Sequence, residues 1–253
     1  MEKLFIKNRK NQKVSVLVNN PEKPQGLVFV MHGLGGYKEQ SHMVNCASAF
    51  EEKDYTVVSF DTTNSFGESD GQFEDATITN YYEDLEDVIN WSKDQSWYQE
   101  PFVLVGHSLG SICILLYAEK YPKEVKALAP TSTVVSWELS VKSEQEGDLK
   151  QWQEDGIRIW KGHSGKIKRL KWGFVEDRKQ YDALKEVNNL TMPTLLLVGD
   201  NDTATLPDHQ QILFDKLPGK KEIHIIKGAE HTFREPKHLE EIKYIFLKWI
   251  DSL

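Results

Sequence analysis

The sequence predicts an α/β architecture: a mostly parallel sheet covered by helices on both faces, with one excursion breaking the pattern. Three observations carry that expectation. Apolar runs of strand length recur at residues 27–31, 56–61, 102–105, 125–130, 194–199 and 222–226, and helix-length segments separate most of them. The strongest of these runs are continuous rather than alternating, as strands buried on both faces require. One of them, FVLV, leads straight into Gly106-His107-Ser108-Leu109-Gly110 and then into ICILLYAEKY, a strand–turn–helix with a serine at the turn.

In chain order, LFIK and VSVLV flank a polar turn at residues 8–12 and predict an opening antiparallel pair. Residues 19–26, with two prolines, form a connecting loop. The run 27–31 is a buried strand ending in His32-Gly33-Leu34-Gly35-Gly36, and a helix is expected over 41–53. After the 56–61 strand comes a polar loop, TTNSFGESDGQF, then an amphipathic helix over 80–93. The serine-bearing strand and helix follow. The chain closes with a helix over 235–253, whose apolar face holds Leu239, Ile242, Ile245, Phe246, Trp249 and Ile250.

Residues 134–190 depart from this alternation. They are dense in charge and hold four of the seven tryptophans, Trp137, Trp152, Trp160 and Trp172. IRIW and KIKRLKWGF predict a small hairpin around a glycine-containing turn, and residues 176–187 predict a helix. The expected division is a core of residues 1–133 and 191–253, with 134–190 an inserted cap over the carboxyl ends of the strands, where such sheets bind ligands. The basic run Lys161–Lys171 is read as a solvated face of that cap.

Composition narrows the function classes. A chain of 253 residues with a net charge of −8 argues against nucleic acid as partner. Cys46 and Cys113 lie in apolar contexts and are expected as buried thiols, with no metal-ligand spacing and no cofactor implied. No segment approaches a membrane span, and MEKLFIKNRK lacks a signal-peptide core, so a cytoplasmic protein is expected.

Chemistry is expected at the carboxyl edge of the sheet. A serine at a tight strand-to-helix turn is held in a strained conformation, and its neighbours two residues away must be small. Three fixed letters also arise by chance; the flanking strand and helix are what give GxSxG meaning. A serine hydroxyl needs a base to take its proton. Of eight histidines, His231 follows the EIHII strand in a Gly-Ala-Glu-His loop on the same edge as Ser108. His224 lies within a strand, His209 and His238 in helical patterns, and His163 in the cap turn. The carboxylate that fixes the imidazole is expected in Asp200-Asn201-Asp202 after TLLLVG. Asp202, lying further out, is the better placed to reach the histidine, and Asp200 to order the turn. Oxyanion donors are expected from the backbone N–H groups of Leu109 and Leu34, with His32 ordering its loop.

The chain order Ser108, Asp202, His231, together with HGLGG upstream, resembles that of the α/β-hydrolase fold. Within it, FDTTNSFGESDGQFEDAT at residues 60–77 is similar to the segment F-D-F-N-G-H-G-x-S-D-G-x-F-E of small bacterial acyl and cinnamoyl (feruloyl) esterases. Here the 60–71 loop is one residue longer, and Asn64-Ser65-Phe66 replaces Asn-Gly-His. The resemblance implies a serine esterase without cofactor. Its serine, aspartate and histidine fall on Ser108, Asp202 and His231, its oxyanion donors on Leu34 and Leu109, and its pocket lies under a cap at 134–190. A small-molecule ester is the expected partner. An amidase, peptidase or thioesterase would use the same residues, and a non-catalytic ligand-binding protein would keep the fold alone.

Overall fold

The computed structural model describes residues 1–143, 146–162, 165 and 167–253. Eight strands form one sheet in the order β1-β2-β4-β3-β5-β6-β9-β10. They are β1 (Glu2–Lys7), β2 (Lys13–Asn19), β3 (Gly26–Met31), β4 (Tyr55–Phe60), β5 (Phe102–His107), β6 (Val125–Thr131), β9 (Thr194–Gly199) and β10 (Lys221–Ile226). The first two strands pair antiparallel and the remaining six run parallel.

Strand periodicity explains why β3, β5 and β9 carry no polar face. Val28 and Val30 of β3, Val103 and Val105 of β5, and Leu195 and Leu197 of β9 face α1 (Ser41–Glu51) and α8 (Pro236–Ile250), packing on Phe50, Phe246 and Trp249. The alternate residues Leu27, Phe29, Met31, Phe102, Leu104 and Leu196 face a second core with α2 (Ile78–Ser92) and α3 (Leu109–Lys120). Each strand residue therefore loses water on one face or the other, and helices must cover both. Helix α3, the most central, is apolar nearly all round, whereas α2 keeps a polar side. Both cysteines are buried free thiols.

Between β6 and β9 the chain forms α4 (Trp137–Ser143), α5 (Glu146–Asp155), the antiparallel pair β7 (Ile157–Lys161) and β8 (Ile167–Lys171), and α6 (Gly173–Arg178). The hairpin matches its sequence expectation. The helix expected over 176–187 does not form as one piece. Helix α6 ends at Arg178; Asp182 then pairs with Ser136 across an isolated bridge and the Ala183 N–H donates to the Val135 carbonyl at 2.9 Å, so the backbone pairs with the segment after β6 before a short 3-10 turn at Val187–Asn189. Helix α7 (Pro207–Lys216) lies between β9 and β10. Among the described residues no helix is long and apolar enough to cross a membrane.

Candidate active site

Ser108 sits between β5 and α3 with φ 54° and ψ −112°, outside the regions a side-chain-bearing residue ordinarily adopts. The flanking glycines make that turn physically possible. A Cβ on Gly106 would lie 2.7 Å from the carbonyl of Gly110, and one on Gly110 would lie 2.5 Å from the carbonyl oxygen of His32. The motif is thus a set of backbone contacts between the turn and the end of β3.

His231 lies in the loop after β10. Its Nε2 is 3.0 Å from Ser108 Oγ and its Nδ1 is 2.8 Å from Asp202 Oδ2. A carboxylate only accepts, so Nδ1 carries the proton and Nε2 is free to accept from the serine hydroxyl. Asp202 is buried, in the turn after β9. Its Oδ1 accepts from the N–H groups of Ala204 and Thr205, both at 2.9 Å, and its Oδ2 accepts from Thr205 Oγ1 at 2.9 Å. Burial works to raise its pKa; hydrogen bonding to His231 and to the Thr205 backbone outweighs this and holds the carboxyl below its ordinary range. Asp200 does something else: its Oδ1 accepts from the Gly228 N–H at 2.6 Å, tying the β9 turn to the β10 loop.

The remaining histidines separate by environment. The Nδ1–H of His32 donates to the Gly33 carbonyl at 2.8 Å while its Nε2 accepts from the Thr62 N–H at 3.1 Å, and burial lowers its pKa. It orders the HGLGG loop as a neutral ring. His224 is partly exposed on β10 beside Glu222, and His209 and His238 are buried on α7 and α8. His163 lies outside the described residues.

Leu34 lines the cavity that Ser108 faces, and Leu109 follows Ser108 directly in the chain. Leu109 opens α3, so its N–H has no partner within the helix. The Leu34 loop is fixed by its neighbours: the Gly35 N–H donates to Tyr81 Oη at 3.0 Å and the Gly36 N–H to the Gly33 carbonyl at 2.9 Å. The 60–77 segment buttresses this loop. Fully buried Asp61 accepts from the Lys38 N–H and from Lys38 Nζ, each at 2.8 Å, and from the Glu68 N–H at 2.9 Å. Asn64 Oδ1 accepts from the Gln72 N–H at 3.0 Å, closing the loop on itself.

Two cavities flank Leu34. One of about 380 Å³ is lined by residues 33–36, Ser108, His231, Lys168 and Arg234, among others. The other, of about 310 Å³, is lined by Leu34 together with Trp152, Trp160, Leu170, Phe174 and two arginines. Its roof comes from the excursion between β6 and β9. Trp152 Nε1 donates to the Leu170 carbonyl at 2.9 Å, and Trp160 meets Phe73 edge-on at 6.0 Å. Lys168 is therefore no solvated cap residue: it is half-buried and faces the cavity of Ser108. Sequence reasoning also passed over His107, Lys38 and Tyr81. Among the described residues no cluster of His, Cys, Asp and Glu is arranged to hold a metal.

The comparisons with known proteins agree with this fold. The family model described as "Serine aminopeptidase, S33" matches residues 22–163, and that described as "PhoPQ-activated pathogenicity-related protein" matches residues 123–252. Among curated proteins, palmitoyl-protein thioesterase ABHD10, mitochondrial, of Bos taurus is 21% identical over 252 residues, covering 91% of this chain and 74% of the relative. Among solved structures, Est1E from Butyrivibrio proteoclasticus with ferulic acid bound superposes with a TM-score of 0.84 at 22% identity, covering 98% of both chains. Mouse alpha/beta hydrolase domain-containing protein 10 superposes with a TM-score of 0.81 at 18% identity, covering 100% of this chain and 99% of its own. At such identities the superpositions speak for the fold, and the family match over more than half of the chain adds the lineage. The chain is an α/β-hydrolase and belongs to the serine aminopeptidase S33 family.

Proposed function

We propose that this serine hydrolase cleaves carboxylic esters or thioesters of small acyl or aromatic acids through an acyl-enzyme. The observation that carries the reading is the continuous hydrogen-bonded array Ser108–His231–Asp202 at a strained turn, with its open side on a cavity. Ser108 Oγ attacks the carbonyl carbon as His231 Nε2 takes its proton. Asp202 holds the imidazole in the required tautomer and stabilises the imidazolium. The N–H groups of Leu34 and Leu109 receive the oxyanion, each worth about 2.7–4 kcal/mol in the transition state. His231 then protonates the leaving oxygen or sulfur, and water, deprotonated by the same imidazole, releases the acid and restores Ser108.

The aromatic cavity beyond Leu34 suits the acyl part, with residues 134–190 acting as its cap. The named activities of the similar proteins, a palmitoyl-protein thioesterase and a structure with bound ferulic acid, are in keeping with an acyl or aromatic acyl group. An aminopeptidase reading fits the site less well. A free peptide N-terminus is an ammonium, and the cavity beside Ser108 carries Lys168 and Arg234 against one carboxylate, Glu230. A panel of p-nitrophenyl acetate, butyrate and octanoate, a hydroxycinnamate ester, an acyl thioester and the matching anilides tests the reading. Turnover of esters or thioesters at least 100-fold above anilides is expected; anilide turnover rivalling them would refute it.

A further inference from the structure

The cavity of Ser108 holds two cations with no carboxylate partner among the described residues. Lys168 lies on β8, where strand alternation sends Arg169 and Lys171 to the other face. Those two find acids: Arg169 reaches Glu74 at 3.3 Å, and Lys171 reaches Asp75 at 2.6 Å and Glu74 at 3.3 Å. Lys168 is turned inward instead, with its ammonium 5.3 Å and 5.8 Å from the ring centres of Phe66 and Phe73. Arg234 lines the same cavity from the loop that carries His231. The two are close enough to feel each other: burial and then Arg234 lower the Lys168 pKa, and no acid among the described residues offsets either. Among the described residues Glu230 is the one acid in the wall, so they leave the cavity net positive in a chain of net charge −8. Lys168 is half-buried, and an unneutralised cation there is costly until an anion arrives; Arg234 is exposed and adds its charge to the same wall.

The side of the site follows from the chemistry. His231 Nε2 must pass its proton to the leaving atom, so the leaving group lies against the His231 loop, and Arg234 is three residues along it. We infer that Lys168 and Arg234 form an anion subsite for the leaving group, so that the preferred substrates are esters or thioesters of an alcohol or thiol bearing its own carboxylate or phosphate. This rests on the hydrolase reading above and specifies its substrate.

The test compares p-nitrophenyl butyrate with 3-carboxy-4-nitrophenyl butyrate, each rate normalised to hydroxide-catalysed hydrolysis of the same ester. The native protein should prefer the anionic ester by fivefold or more in kcat/KM, mainly through KM. Lys168→Met and Arg234→Gln should each cut that preference at least threefold, and Lys168→Arg should keep it. Lys161→Met, on the exposed part of the same hairpin, is the control. No preference in the native protein, or equal loss on both esters, overturns the subsite. A second arm needs no turnover. Ser108→Ala should bind 5-hydroxy-2-nitrobenzoate at least fivefold tighter than p-nitrophenol by calorimetry, with the margin lost on adding Lys168→Met or Arg234→Gln and reduced by 0.5 M salt. Benzoate and phenyl phosphate as competitors distinguish the two anions, and failure of both counts against the subsite. Anion binding without turnover of either ester would sustain the subsite and refute the hydrolase; turnover of the neutral ester without anion preference would refute the subsite alone.

Discussion

His107 Nε2 lies 2.8 Å from the backbone carbonyl of His231. A carbonyl only accepts, so Nε2 of His107 carries a proton, and burial lowers its pKa well below the ordinary value, keeping the ring neutral. The residue before Ser108 thus grips the backbone of His231. Its ring also packs edge-on against His42 at 4.4 Å and lies 4.8 Å from the ring of His231.

This contact has a kinetic consequence. His107→Ala should lower kcat on p-nitrophenyl butyrate by roughly 10–100-fold with little change in KM, because the imidazole loses its fixed distance to Ser108 Oγ and small misplacements are costly. His107→Gln, whose amide can donate to the same carbonyl, should recover at least part of the loss. Equal damage from both variants would mean that the ring's packing, and not the hydrogen bond, is what counts.

The two aspartates after β9 should separate cleanly. Asp202→Asn leaves a partner that can present an N–H to His231 and favour the wrong tautomer, so kcat should fall by about 10³–10⁴. Asp200→Asn keeps an oxygen for the Gly228 N–H and should cost less than about tenfold. Ser108→Ala should abolish labelling by a fluorophosphonate probe, and His231→Ala should lose turnover with its circular dichroism unchanged. Asp200→Asn proving the more damaging of the two would move the acid to residue 200.

Legibility followed topology. Ser108 and Asp202 stand just past continuous apolar runs and His231 follows the mixed run EIHII, so their shared edge could be inferred from the direction of parallel strands. His107 occupies a position that the GxSxG pattern leaves open, and its partner is a backbone atom 124 residues away, which no pattern encodes. For Lys168, alternation separates the two faces of β8 but cannot say which one meets the cavity. Helices α4 and α5 lack an apolar stripe: in α5, Trp152 is the buried anchor, and it is held by the hairpin rather than by helical periodicity. The helix expected over 176–187 lost to backbone pairing with Val135 and Ser136, a tertiary contact overriding local preference.

The buried pair Lys38–Asp61 should prove a stability determinant of the loop at residues 33–36. Neither side chain is exposed, and Asp61 also organises two backbone N–H groups. Lys38→Met would strand that carboxylate at a cost of about 3–5 kcal/mol. For a chain of this size the loss corresponds to roughly 10 °C of Tm. Since residues 33–36 precede this anchor directly, kcat should fall as well, by about tenfold. Adding Asp61→Asn should return at least about 1 kcal/mol by removing the stranded charge. A double variant no more stable than Lys38→Met, by urea unfolding, would show that Asp61 matters through its backbone hydrogen bonds alone.

Glu119 should make stability fall as the solution turns alkaline. It is buried near the C-terminal end of α3, where the helix dipole disfavours a negative charge, and among the described residues its Oε1 has no hydrogen-bond partner. Burial, with Glu186 and Asp182 nearby, pushes its pKa up to about 8. Below the ordinary carboxylate range the folded and unfolded chains both hold this proton. Between there and about pH 8 the folded chain keeps the proton while the unfolded chain has released it, so rising pH favours unfolding across that window. Glu119→Gln removes the linkage. The variant should match the native protein near pH 4.5 and exceed it by about 1–2 kcal/mol at pH 8.5, or roughly 3–6 °C in Tm. The difference between the two proteins isolates this group from buried histidines such as His42, whose pKa burial lowers to about 3 and whose linkage runs the opposite way, stability rising with pH. A stability difference that stays constant from pH 4.5 to 8.5 would mean that Glu119 is ionised in the folded chain throughout.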